Sequence, residues 1–220
     1  MKENAKIHPS GIIFDMDGLM LDTERPAISL WNEAGKPFGY DISTETVIRT
    51  LGVNEDDTRK IFMDVHGPHF PYKAIREKFC RLVEDQLQQG IVLKKGLLFL
   101  LDHLASCKIP LAVATSTDRK GALWKLRKAG ILDSFAAEAC GDEIANGKPA
   151  PDIFLLAAEK LGQDPSQCIG FEDSPAGLEG LYAAGIPSVF IKDMVQPAPE
   201  ILASVWRCCA DLEEAANLFE

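Results

Sequence analysis

The stretch Ile12-Ile13-Phe14-Asp15-Met16-Asp17-Gly18 decides how this chain reads. A short apolar run stops on two carboxylates spaced two apart. In extended chain, residues i and i+2 face the same way, so Asp15 and Asp17 aim at one spot beyond a strand end. Gly18 supplies a backbone able to turn sharply there. Two like charges held so close raise each other's cost of ionising, and a cation or a shared proton relieves it. The pattern marks a site, and specifically a metal site.

Other short apolar runs follow, bounded by turn residues: Pro110 to Thr115, Phe135 to Ala139, Gln167 to Phe171, Pro187 to Ile191 and Trp206 to Ala210. Helical periodicity fills Gly96 to Ser106, Arg119 to Ala129, Pro151 to Leu161, Ser174 to Ala184 and Leu212 to Leu218. Gly130, Gly162 and Gly185 follow the last periodic residue, as C-terminal caps do, and Pro151 and Pro175 suit a first helical turn. Strands alternating with helices predict a parallel sheet covered on both faces. From Glu24 to Gly90 the pattern is helical throughout, more than one crossover requires. This reads as an insert above the carboxyl end of the first strand, where open α/β sheets bind ligands and where a lid belongs.

Three further groups carry chemistry. Thr115-Ser116-Thr117 ends the second strand, where a hydroxyl and free backbone N–H groups can hold an anionic oxygen; Ser116, Thr117 or Asp118 could equally cap the next helix. Lys148, fixed between Gly147 and Pro149, could neutralise a phosphate or restrain a nucleophilic carboxylate. Glu172-Asp173-Ser174-Pro175 opens a helix and brings carboxylates to another strand end, with Asp173 or Ser174 as the cap. Mg²⁺ takes octahedral oxygen coordination, which Asp15, Asp173 and the Asp17 carbonyl would suit. Each group alone reads as capping or surface charge; together, all at strand ends, they read as one site.

Bulk properties set limits. The 220 residues are 46% hydrophobic and 25% charged, suiting one large domain or one domain with an insert. The net charge of −10 and pI near 4.9 repel a phosphate-rich polymer, so no nucleic-acid partner is expected. A small anionic substrate remains compatible where local cations offset that field. Met1 to Ser10 lacks an apolar leader, and the run Leu97 to Leu101 is too short to span a bilayer. The six cysteines show no metal-binding spacing, as expected of free thiols in a reducing cytoplasm.

Together these residues resemble the four motifs of the haloacid dehalogenase superfamily, over essentially the whole chain. Phe14-Asp15-Met16-Asp17-Gly18 is similar to the first motif and Thr115-Ser116 to the second. Lys148, within Lys148-Pro149-Ala150-Pro151-Asp152, is similar to the third, and Gly170-Phe171-Glu172-Asp173-Ser174 to the fourth. The resemblance implies a doubly wound, parallel-sheet Rossmann-like core of residues 1–23 and 91–220 with a helical cap of residues 24–90. It implies a Mg²⁺-dependent phosphatase acting on a small phosphorylated metabolite. Asp15 would be the nucleophile, forming an aspartyl-phosphate, and Asp17 the general acid/base. Thr115, Ser116 and Lys148 would bind the phosphate oxygens, with Gly18 at the turn beside them. Asp15, Asp17 and Asp173 would hold the metal, with Glu172 a ligand or its partner through water. The dehalogenase branch lacks the Asp-x-Asp pair.

Within the branch, β-phosphoglucomutases carry a histidine where this chain has Ala27, and an arginine after the cap's Gly-Val pair where it has Glu55. An anionic Glu55 would repel the distal phosphate of a sugar bisphosphate. Both departures favour a monophosphate phosphatase. Arg49, Arg59, His66 and His69 read as solvated cap residues, and the loop Leu51-Gly52-Val53-Asn54 as the place of specificity. A response-regulator receiver fits less well, having no helical insert after its first strand. A non-catalytic protein on this fold would be expected to lose Asp15 or Asp17. A monomer is the expectation for a capped enzyme of this size.

Overall fold

Ile12, Ile13 and Phe14 are wholly buried because the strand they form lies in the middle of a parallel sheet covered on both faces. The computed structural model describes residues 9–51, 53 and 55–219. The polar stretch Met1 to His8, the loop residues Gly52 and Asn54, and Glu220 lie outside the described residues. Six strands, β1 (Gly11–Phe14), β2 (Leu111–Thr115), β3 (Ala137–Cys140), β4 (Cys168–Glu172), β5 (Ser188–Ile191) and β6 (Arg207–Cys209), run in the order β3-β2-β1-β4-β5-β6. Every pairing is parallel, with Ile13 opposite Ala112 on one side and Gly170 on the other.

Alternation sorts the side chains. Ile12, Phe14, Val113, Ile169 and Phe171 point to one face, under the apolar side of α5 (Leu97–Ser106) and α6 (Arg119–Lys128). Ile13, Ala112, Ala114 and Ala139 point to the other, under α7 (Asp152–Leu161) and Leu181 of α8 (Pro175–Ala183). The alanines let α7 lie close to the sheet, while Phe14 stacks on Phe171 at 4.8 Å. Each large apolar side chain so buried contributes about 1.5–3 kcal/mol.

The insert is helical, as the periodicity predicts: α1 (Glu24–Gly35), α2 (Thr44–Ile48), α3 (Glu55–His66) and α4 (Tyr72–Gln89). It carries its own apolar cluster, in which Trp31 stacks on Phe79 at 4.2 Å and meets Phe62 at 4.5 Å. Two chain crossings join insert to sheet and pair with each other. Leu21 bridges Leu93, the Asp22 amide donates to the Val92 carbonyl, and the Lys94 amide to that of Met20, both at 2.9 Å.

Several boundaries differ from the sequence reading. β3 begins at Ala137, not Phe135, because Leu132–Ser134 forms a 3-10 turn that Phe135 closes. The last helix stops at Ala215 and tightens into a 3-10 turn over Ala216–Leu218, and Pro151 precedes α7 as its N-cap residue. A short helix, α9 (Pro199–Leu202), precedes β6, and Leu212–Ala215 is α10. No helix among the described residues is long and apolar enough to cross a membrane.

Candidate active site

Parallel strands deliver their carboxyl ends to one edge, and there the predicted residues meet. Asp15 follows β1, Thr115 ends β2, Glu172 ends β4 and Asp173 follows it; Lys148 comes from the loop between β3 and α7. Asp15, Asp17, Thr115, Ser116, Lys148 and Asp173 line one cavity of about 150 Å³, which Glu24 and Val53 of the insert also reach. That volume suits a phosphate-sized group. A larger, open depression of about 640 Å³ between α1 and α2 is bordered by Asn32, Lys36 and Asp41 and shares no residue with this cavity.

Lys148 is 3% exposed and its Nζ donates to Asp15 Oδ1 and Glu172 Oε1, each at 2.5 Å. Burial opposes its charge, but attraction to the two carboxylates outweighs this and raises its pKa. Glu172 is saturated by the protein: its Oε2 accepts from the Asp173 and Ser174 amides and from Ser174 Oγ, all at 2.9 Å. Gly177 makes room for it, since a Cβ there would collide with the Glu172 carboxylate. Ser174, rather than Asp173, caps α8 by accepting from the Gly177 amide.

Asp15, Glu172 and Asp173 each present an oxygen within 4.8 Å of the others. Among the described residues no donor reaches the Asp173 side chain, and Asp15 gives only Oδ1 to Lys148. Those free, hard oxygens fit a divalent cation, while Glu172 is better placed to orient its neighbours. Burial, then the Glu172 and Asp17 charges, push Asp15 up to about 7 against the pull of Lys148. Burial and the neighbouring carboxylates raise Asp173 well above the usual range. Burial and the Asp15 and Asp17 charges bring Glu24 to about 8. Such crowding is the electrostatic state that a bound cation relieves. Gly18 permits it: its φ is +92°, and a Cβ there would stand 2.5 Å from Asp173 Oδ2.

Asp17 is held differently. Its Oδ1 accepts from Lys125 Nζ at 2.6 Å and Thr23 Oγ1 at 2.8 Å, and its Oδ2 from Thr117 Oγ1 at 2.7 Å. Burial would raise its pKa, but Lys125 and these hydrogen bonds lower it. Its side chain stands apart from the three-carboxylate group. Thr115 Oγ1 accepts from the Thr117 amide at 3.1 Å, Ser116 is exposed at the cavity, and Asp118 caps α6. Thr23, Glu24, Lys125 and Asp193 were not singled out by sequence. Asp193 lies two residues past the end of β5, at the same sheet edge as Asp15 past β1, and that position was the available signal.

The insert residues also find their places. Glu55 accepts from Tyr72 Oη at 2.8 Å and pairs with Arg76 Nε at 3.0 Å. Its charge is paired within the insert, with Arg76 on the neighbouring helix. Ala27 packs against the insert's aromatic cluster. Arg59 stays exposed near Asp56 at 3.8 Å, whereas His66 stacks on Phe70 rather than facing solvent alone.

Comparison with known proteins agrees with this geometry. Residues 12–191 match the haloacid dehalogenase-like hydrolase family. A phosphorylated carbohydrates phosphatase of Thermotoga maritima is 32% identical over 183 residues, 81% of this chain and 83% of that protein. The β-phosphoglucomutase of Bacillus subtilis is 26% identical over 185 residues, 81% of each chain. The crystal structure of CbbY from Rhodobacter sphaeroides in complex with phosphate superposes with a TM-score of 0.79. It is 25% identical and covers 94% of this chain and 96% of that one.

Proposed function

The chain belongs to the haloacid dehalogenase-like hydrolases, and on that premise we propose that it is a Mg²⁺-dependent phosphatase of small phosphorylated metabolites such as sugar phosphates. The observation that carries this reading is Lys148 bridging Asp15 and Glu172 in a buried strand-end cavity, with Asp17 across the same cavity.

Asp15 attacks phosphorus, the bond to the ester oxygen breaks, and Asp17 gives that oxygen its proton. Water then attacks the aspartyl-phosphate, Asp17 takes the water's proton, and the phosphorus–Asp15 bond breaks to release phosphate. Lys148, the Thr115 hydroxyl and the Ser116 backbone neutralise and orient the transferring oxygens. Asp15, Asp173 and the Asp17 carbonyl would hold a Mg²⁺ ion, which would supply charge screening between nucleophile and phosphate. Glu172 keeps Lys148 and the Asp173 backbone in place. Residues 24–90 act as a cap over a core of residues 1–23 and 91–220, and Val53 brings the cap's specificity loop to the cavity. Ala27, turned into the cap's aromatic cluster, leaves no base there for phosphoryl transfer between sugar hydroxyls. Six free cysteines support a reducing compartment, the cytoplasm.

The test is phosphate release from a panel of phosphomonoesters, with and without Mg²⁺, beside Asp15→Asn. Mg²⁺-dependent release that the folded variant loses supports the assignment; undiminished release by that variant sinks it.

A further inference from the structure

Asp193 lies two residues beyond β5, and its side chain is only 2% exposed. It reaches both chain crossings at once. Its Oδ1 accepts from Arg25 Nη2 at 2.5 Å, and its Oδ2 pairs with Lys94 Nζ at 2.7 Å. Arg25 is the second residue of α1, on the outgoing crossing; Lys94 sits on the returning one. Arg25 is further tied to Asp22 at 3.0 Å. Asp193, Glu24 and Asp173 each offer an oxygen within 4.8 Å of the other two. Both Asp193 oxygens already hold side-chain cations, so this carboxylate does not compete for a metal.

We propose that Asp193 is a positioning residue: a buried clamp that fastens the two crossings of the helical cap to the sheet edge and so sets where Glu24 and Val53 stand over the catalytic carboxylates. The argument is geometric. A carboxylate taking one cation from each of two antiparallel crossings fixes them relative to each other and to β5. Buried and paired on both sides, it has little freedom to let go of either. It also draws Arg25 and Lys94 away from Asp173, leaving that carboxylate open.

The consequence for turnover rests on the phosphatase reading; the clamp itself is tested without turnover. Hydrogen exchange of the Asp22 and Lys94 amides, which bond across the crossings, reports the clamp directly. In Asp193→Asn these amides should exchange about tenfold faster, while those of β1 and β2 stay at the native rate. Arg25→Gln, a half-exposed position that leaves the buried Lys94 pair intact, should move the same two amides by a smaller factor and melt as the native protein does. Asp193→Glu should restore part of the protection. In the Mg²⁺-loaded enzyme, kcat/KM for a hexose phosphate should fall about tenfold in Asp193→Asn, mostly through KM, with acetyl phosphate changed less than about twofold.

Native exchange at both amides in Asp193→Asn and Arg25→Gln overturns the clamp. So does exchange that rises equally across the sheet, which would mark an ordinary structural ion pair. Absence of phosphate release in every form would defeat the phosphatase reading and leave the exchange result to decide the clamp.

Discussion

Asp15 and Asp17 stand two residues apart and live in opposite surroundings. Asp15 is buried among carboxylates with one lysine between them, and its pKa rises to about 7. Asp17 is ringed by Lys125, Thr23 and Thr117, and its pKa falls. In the proposed mechanism the nucleophile must be ionised and the general acid protonated, so the surroundings of each work against its task. The difference teaches what the site awaits. A divalent cation held by Asp15 and Asp173 would favour the charged form of the proposed nucleophile. An incoming phosphate dianion beside Asp17 raises its affinity for a proton.

The largest effect that could break this contrast is on chemistry. Asp15→Asn should lose about 10⁴-fold or more in turnover, and Asp17→Asn roughly 10²–10⁴-fold on an alkyl phosphate. With p-nitrophenyl phosphate, whose leaving group needs no proton, Asp17→Asn should still give a burst of nitrophenol in rapid-quench kinetics. A burst from Asp15→Asn would reverse the two roles. Next comes stability: Lys148→Met leaves two buried carboxylates without their cation and should cost about 3–5 kcal/mol, lowering Tm by roughly 10 °C in a thermal melt. An unchanged Tm would mean that Asp15 and Glu172 are neutral in the folded protein.

A smaller effect concerns pH. The folded pKa values of Asp15 and Glu24, about 7 and 8, lie above the unstructured 3.8 and 4.5. Below about pH 4 both states hold these protons and no penalty arises; as pH rises to about 8 the unfolded chain releases them first and is favoured. Metal-free protein should therefore lose stability over that window, and Mg²⁺ should raise Tm more at pH 8 than at pH 5. Equal Mg²⁺ effects at both pH values, measured against EDTA, would remove the crowded carboxylates as their cause. The smallest change is Thr117→Val, which deletes one bond to Asp17 and should cost about 1 kcal/mol while raising the Asp17 pKa, readable by carboxyl NMR.

The sheet and the strand-end carboxylates were legible because they depend on local pattern. Ile12-Ile13-Phe14 is apolar at every position, and Gly162 ends α7 at a φ of +68° as its place after Leu161 implies. The surroundings of Asp17 were not legible. Lys125 sits among the basic residues of α6, where sequence gives no reason to separate it from Lys120 or Lys128. Only the tertiary placement of α6 against the sheet turns it toward Asp17. The partner of Glu55 was not legible for the same reason, since Arg76 lies a helix away. Boundaries slipped where a side chain such as Phe135 packs in the core while its backbone is still turning.

The sheet order has a consequence for synthesis. Among the described strands β1 is made first and lies at the middle of the sheet beside β4, yet its neighbours β2 and β4 lie about 100 and 157 residues further along. The helical insert has an apolar cluster of its own, built from contacts close in sequence such as Trp31 with Phe79, which can form while the ribosome is still working. Ile12, Ile13 and Phe14 must wait for Cys168–Glu172 to emerge before their second edge is covered. A translational pause before Cys168 would therefore leave the nascent chain with a folded cap and an open, adhesive central strand.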